Sequence, residues 1–256
     1  MSIKKRYIRS RNLYEPNSDK PYKLSRTRIQ NYLDCQLCFY LDRRLGVDTP
    51  QSLPFTLNSA VDSLLKREFD IYRNAKLPHP IMEQFQIDAI PATHEELDKW
   101  RSNFTGISYI HPKTNLHIHG AIDDLWENKN GYIVVDYKST AVKDDIVELN
   151  KPWHRIYKNQ MEIYQWLFSM NNYTVSKTGY ILYYNGDVHK LDFKDKLEFK
   201  CTAIPYTGNT NWIDNTITDI YKCLNNPNPP EPSEYCNFCK YRDASIEVLT
   251  IQSKLI

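Results

Sequence analysis

Asp123, Asp124, Asp136 and Lys138 fall within HGAIDDLWENKNGYIVVDYKST, residues 119–140, a stretch that is otherwise largely apolar. Ile118, Ile122, Leu125, Ile133, Val134 and Val135 surround them like the face of a buried sheet, where an unpaired charge is costly. Asp136 and Lys138 are two apart, so on a strand they share one face. Asp123, in the partner strand of a hairpin, can approach them across the ladder, whereas Asp124 points to the opposite face and reads as structural. Two carboxylates at short range repel unless a cation sits between them. A hard divalent ion such as Mg²⁺ takes oxygen ligands and keeps several waters, which suits phosphate chemistry. A neighbouring ammonium can orient the attacking water or neutralise charge developing on the phosphate. A lone D-x-K triplet is more often a half-exposed strand pair, so the rest of the chain has to decide.

Cysteines supply a second constellation. CQLC and CNFC place Cys35, Cys38, Cys236 and Cys239 near opposite ends of the chain. Four thiolates in two such pairs can close a tetrahedral shell on zinc or hold an iron–sulfur cluster. The plainer alternative is that Cys35 and Cys38, on a helical pattern, are buried and inert. Cys201 and Cys223 read as core residues. Trp153, His154 and Arg155 could line a nucleic-acid groove by stacking and phosphate contact, or serve as an aromatic packing anchor. His117 and His119 read as solvated or hydrogen-bonded histidines. Lys23, Arg26 and Arg28 lie near a helix start, a position suited to phosphate.

The elements that must position these groups follow from periodicity. LSRTRIQNYLDCQLCFYLDRRLG predicts one helix capped by Ser25 and stopped at Gly46. FTLNSAVDSLLKREFDIYRNA predicts a second, and a Pro-punctuated connection with a short helix follows. LHIHGAIDDLWE and GYIVVDYKST predict a hairpin across NKNG; HRIYKNQMEIYQWLFSM predicts a long helix. TGYILYYNG and VHKLDFK predict a second hairpin across NGD. TNWIDNTITDIYKCLN predicts the last helix, before a Pro-rich loop carrying Cys236 and Cys239. That order gives an α/β fold, a mixed central sheet flanked by helices.

With 256 residues and 41% hydrophobic side chains, the chain is long and apolar enough for a real core. Only 7 glycines argue against long flexible linkers. The net charge of +2 neither demands nor excludes nucleic acid. The start, MSIKKRYIRSRNLY, is rich in Lys and Arg and has no acid; it reads as a solvated tail or as a phosphate-contacting arm. No signal-peptide pattern follows and no stretch is long enough to span a bilayer, so a cytoplasmic protein is expected. The organisation expected is a basic tail over 1–20, one domain over 21–245 joined at its ends by the cysteines, and a C-terminal tail over 246–256.

GAIDD followed by VVDYKST resembles the core of the PD-(D/E)xK nuclease superfamily. QMEIYQWLF resembles the Q-x-x-x-Y helix of its RecB-like branch, which includes AddB and CRISPR-associated exonucleases, and supplies Gln160 and Tyr164. The resemblance covers about Leu24 to Arg242 and implies a restriction-endonuclease-like core. It implies that Asp123 and Asp136 bind Mg²⁺ or Mn²⁺ with the Tyr137 carbonyl as a further ligand. Lys138 would serve the attacking water, and Gln160 and Tyr164 would support the site or contact DNA. Asp62 stands where a histidine ligand often occurs and would complete the shell. Members often clasp a [4Fe–4S] cluster with one early and three late cysteines. Here the partition is two and two, with Ser245 at the last position, which keeps Zn²⁺ as an alternative. The activity implied is hydrolysis of DNA, as an exonuclease on single-stranded ends, with DNA repair, recombination or CRISPR-adaptation partners. The alternatives are a non-catalytic nucleic-acid-binding module of the same fold and a structural zinc protein.

Overall fold

The computed structural model describes residues 8–50 and 55–253. Along the chain, β1 (Tyr22–Ser25) leads into α1 (Arg26–Asp34), α2 (Gln36–Leu45), α3 (Thr56–Ala75) and α4 (Pro80–Gln84). Then come β2 (Ile90–Pro91), α5 (Leu97–Arg101), β3 (Ile107–His111), β4 (Leu116–Gly120), β5 (Asp124–Asn128) and β6 (Gly131–Thr140). The long helix α6 (Arg155–Met170), β7 (Thr178–Gly186), β8 (Phe199–Thr207), α7 (Ile213–Asn225) and α8 (Asn237–Ser253) complete the chain. The strands form two sheets, in the orders β1-β4-β3 and β2-β5-β6-β7-β8. The fold is the expected mixed α/β arrangement of sheet and flanking helices.

Where one domain over 21–245 is expected, the residues group into two compact units. One is drawn from residues 8–50, 110–117 and 214–253, the other from 55–109 and 118–213. In the second unit, β5 and β6 are antiparallel, with Asp124 opposite Val135. The neighbours β6 and β7 are parallel, a connection that needs a crossover and receives it in α6. Alternation along β6 then sorts its two faces. Ile133, Val135 and Tyr137 pack with Trp126 and Leu182 against Leu65 and Phe69 of α3. Asp136 faces the other way, toward Gln160 of α6. Gly179 lets α6 close on β7, because a Cβ there would meet Met161 Sδ at 2.3 Å and the Val134 carbonyl at 2.7 Å.

In the first unit the expected single helix breaks at Cys35, which is extended (φ −161°, ψ 112°) between α1 and α2. Gly46 ends α2 in the left-handed region at φ 76°, as expected, and a side chain there would strike the Arg9 carbonyl. Ser25 holds the N-cap position of α1 without a side-chain capping bond. The basic tail expected over 1–20 lies outside the described residues up to residue 7. From Arg9 onward it is anchored at two points: Arg9 pairs with Asp42 at 2.8 Å and Asp48 at 3.0 Å, and Tyr14 is buried, while most of the residues between and after them are exposed. Arg28, a phosphate candidate by sequence, is committed to Asp42 at 2.7 Å.

Three more expectations shift. The predicted strand LHIHGAIDDLWE divides into β4 and β5 at Ala121–Asp123. The partner of β7 is the later segment 199–207, and Val188, Leu191 and Phe193 of the expected strand are exposed. The tail expected from 246 is instead the continuation of α8, which starts at Asn237 and runs through 245 to Ser253.

Candidate active site and metal centre

Asp136 and Lys138 project from one face of β6, in the second unit. Asp136 is only 1% exposed. Gln160 Nε2 donates to Asp136 Oδ1 at 2.6 Å and lies 3.3 Å from the Tyr164 hydroxyl, one helical turn along α6. The Lys138 ammonium lies against Asp136 Oδ2 as an ion pair, yet that buried oxygen receives no hydrogen bond of acceptable geometry. Asp123, in the bend before β5, accepts the Tyr137 backbone N–H through Oδ2 at 2.9 Å. The Tyr137 carbonyl receives a long contact of 3.4 Å from Lys138 Nζ.

Charge at this face is crowded. Burial pushes the Asp136 carboxyl up to about 7; Lys138 pulls against that shift and Asp123 adds to it. Burial alone would lower Lys138, but Asp136 and Asp123 outweigh it and hold the ammonium above its ordinary value. Burial and the Asp123 charge also raise Asp62. Asp62 is engaged by Lys66, four residues on in α3, at 2.9 Å, and Lys66 Nζ also stands 3.8 Å from Asp123 Oδ1. Among the described residues, Asp62, Asp123 and Asp136 do not form a set with ligand atoms all within 4.8 Å of one another. The structure thus brings together Asp123, Asp136, Lys138, Gln160 and Tyr164, and ties Asp62 to Lys66.

These groups fit a hard divalent ion. The donors are all oxygens, and the two acids stand close enough for Asp123 to add to the upward shift of Asp136. Asp123, Asp136 and the Tyr137 carbonyl are the residues that would hold it.

On the opposite face of the hairpin, Asp124 is 0% exposed and fully engaged. Arg73 and Arg101 both reach Oδ1, the Leu125 N–H donates to Oδ1 at 2.8 Å, and the Tyr137 hydroxyl donates to Oδ2 at 2.7 Å. Asp70 accepts from the same two arginines, at 2.9 and 2.8 Å. Sequence reasoning missed Lys66, Arg73 and Arg101. The i,i+4 spacing from Asp62 could have found Lys66; the arginines, 51 and 23 residues from Asp124, left no local signal.

In the first unit, Cys35, Cys38, Cys236 and Cys239 place their sulfurs within 4.8 Å of one another, and they are the one such set among the described residues. Cys35 lies 3.8 Å from Cys239, and Cys38 lies 3.5 Å from both Cys236 and Cys239. The break between α1 and α2 turns Cys35 out of the helical register, and Cys239 sits in the first turn of α8. Burial alone would raise the Cys35 thiol, but backbone donors from Ser233 and Cys38 outweigh it and bring it down to about 7. Burial pushes Cys239 up to about 11. Sulfurs about 2.3 Å from one central zinc stand roughly 3.8 Å apart at tetrahedral angles. The separations here fit one ion, whereas a four-iron cube spreads its thiolates more widely.

The sequence profile of the PD-(D/E)XK nuclease superfamily matches residues 23–244. No curated protein matches the chain. A solved structure described as "Crystal structure of SSO0001" is 14% identical, with 85% of this chain and 81% of that chain covered at a TM-score of 0.34; a likeness at that level carries no argument.

Proposed function

The chain belongs to the PD-(D/E)XK nuclease superfamily, and from that premise we propose that it hydrolyses DNA phosphodiester bonds as an exonuclease on single-stranded ends. The observation that carries the reading is Asp136: a buried carboxyl held beside a second acid and paired with an ammonium. Asp123, Asp136 and the Tyr137 carbonyl would hold Mg²⁺ or Mn²⁺, which when bound would supply Lewis-acid polarisation of the phosphate. Lys138 orients the attacking water and offsets the charge gathering on the phosphate oxygens. Gln160 fixes the rotamer of Asp136, and Tyr164 backs Gln160. The Gln160–Tyr164 pair on the helix after the D-x-K strand, with paired cysteines near both ends, supports placing the chain in the RecB-like branch.

A second reading, a nucleic-acid-binding module of this fold without turnover, draws on Lys66. Its ammonium engages Asp62 and approaches Asp123, where a cation would otherwise bind. End-labelled single-stranded and duplex DNA, incubated with Mg²⁺ or Mn²⁺, separates the two. The native chain should degrade single-stranded ends, with Lys138→Ala slower by ~10²-fold or more. If neither protein cuts any DNA form while both bind it, the module is the better account.

For the cysteines we propose one structural zinc ion in preference to a [4Fe–4S] cluster, on the sulfur separations of 3.5–3.8 Å. Its loss would open loops of about 200 residues between the cysteine pairs. Metal analysis of purified chain should find a colourless protein with stoichiometric zinc; a brown, iron-bearing sample would reverse that choice.

A further inference from the structure

We propose that a cleft beside the catalytic strand is a nucleobase subsite, in which Trp153 stacks on one base of the bound strand and His154 Nε2 donates to it. The identity of the occupant rests on the nuclease reading above.

The cleft encloses about 570 Å³ and starts at Thr140, the last residue of β6. It adjoins the catalytic face through Tyr157, which lines it and lies 5.1 Å beneath the Lys138 ammonium. A base seated there would belong to a nucleotide next to the phosphate handled by Lys138.

His154 is 1% exposed and lines the cleft. Its Nδ1 accepts the Lys151 backbone N–H at 3.2 Å, so in the neutral ring the proton resides on Nε2. Burial, with Lys158 and Lys151 nearby, lowers the histidine and favours that neutral form. Nε2 is buried and has no hydrogen-bond partner, an arrangement that folded proteins seldom leave without a purpose. An acceptor on a bound ligand satisfies it. Beside it, Trp153 is 60% exposed, an open indole of the kind on which bases stack.

Charge around the cleft says which part of a nucleotide enters. Lys143 and Lys151 are matched by Asp144, Asp145 and Glu148 among the lining residues, and Asp145 is already paired with Lys200. Such a rim does not favour a phosphate. It accommodates a flat uncharged ring with acceptor atoms on its edge, while the backbone stays with Lys138.

The test is an abasic scan. Affinities of the chain for a fluorescein-labelled single-stranded DNA are measured without added Mg²⁺ or Mn²⁺ and without chelator, so that no strand is cut and the cysteine-bound metal stays in place, with one abasic site moved along the oligonucleotide. For the native chain, one position should weaken binding ~10-fold. Trp153→Ala, an exposed substitution compatible with folding, should erase that position-specific penalty and leave the rest of the scan alone. His154→Asn, which keeps an acceptor for the Lys151 N–H and removes Nε2, should reduce the penalty less. A penalty that persists in Trp153→Ala, or a flat scan for the native chain, overturns the subsite. If the native chain still cuts DNA in that case, the nuclease reading stands without it. A chain that neither binds nor cuts removes both.

Discussion

Asp124 and Asp136 occupy one hairpin, both out of contact with water, and their surroundings treat the same charge in opposite ways. Asp124 meets two guanidinium groups, a phenol and a backbone N–H, so its lone pairs are used. Asp136 has Gln160 on one oxygen and the Lys138 ammonium on the other, but also a second acid close enough to push it up further. A buried carboxylate satisfied by its own chain needs nothing more, and its function is to hold the fold. One crowded by a second acid stores electrostatic free energy that a cation can release. Because neighbouring strand residues face opposite ways, a single hairpin serves both purposes. Tyr137 links them: its hydroxyl binds Asp124 and its backbone N–H binds Asp123.

The sharpest break of this contrast is a pair of neutralising substitutions. Asp124→Asn leaves Arg73 and Arg101, 6% and 8% exposed in their side chains, facing a neutral amide. The loss of a buried pair's partner costs about 3–5 kcal/mol, and Asp70, which still engages both arginines, places the expectation at the lower end, ~3 kcal/mol. Asp136→Asn removes a charge that burial already disfavours, so it should cost the fold no more than ~1 kcal/mol, with the balance moving in the variant's favour as pH rises, while cleavage is abolished. Urea denaturation without added Mg²⁺ or Mn²⁺, and without chelator, reads both through the midpoint at unchanged m-value. Equal destabilisation by the two substitutions would show that both acids are structural.

The same contrast explains what could be read from the amino-acid order. The D-x-K strand, its hairpin and the following helix were legible because each rests on local periodicity. Asp136, Lys138, Gln160 and Tyr164 then meet through the crossover helix. Cysteine pairs were legible through chemistry, since few other arrangements put four thiols at C-x-x-C spacing. The break at Cys35 was not, because apolar residues recur at helical spacing on both sides of it. The segment around Leu191 alternates as well as the true β8 does, and only pairing with β7 distinguishes them. Helix α8 follows a Pro-rich stretch and leaves Ile246, Val248, Leu249 and Ile251 exposed, so no clear buried stripe announces it. The Arg73–Arg101 clamp is wholly a product of tertiary contact.

A subtler difference between the acids is its dependence on pH in the absence of metal. Burial raises Asp136 from an ordinary carboxylate value of 3.8 to about 7. Between those limits the folded chain retains a proton that the unfolded chain has released, so this group makes stability fall as pH rises; outside them it contributes no slope. Asp70 and Asp42 act with the opposite sign. Burial would raise them too, but Arg101 and Arg73 outweigh it at Asp70, and Arg43 and Arg9 at Asp42. Their stabilisation is present above the ordinary carboxylate value and is lost as pH falls through their depressed values. Burial also lowers His111, His117 and His154, which makes stability rise with pH toward 6.5 and partly masks Asp136 in the native chain. The difference between Asp136→Asn and native stabilities cancels these shared contributions. That difference, followed by urea denaturation without added Mg²⁺ or Mn²⁺, should move in favour of the variant from about pH 4 to about pH 7 and then level off. A difference that stays flat across the window would mean that Asp136 is ionised as freely as an exposed carboxylate, and the contrast with Asp124 would lose its electrostatic basis.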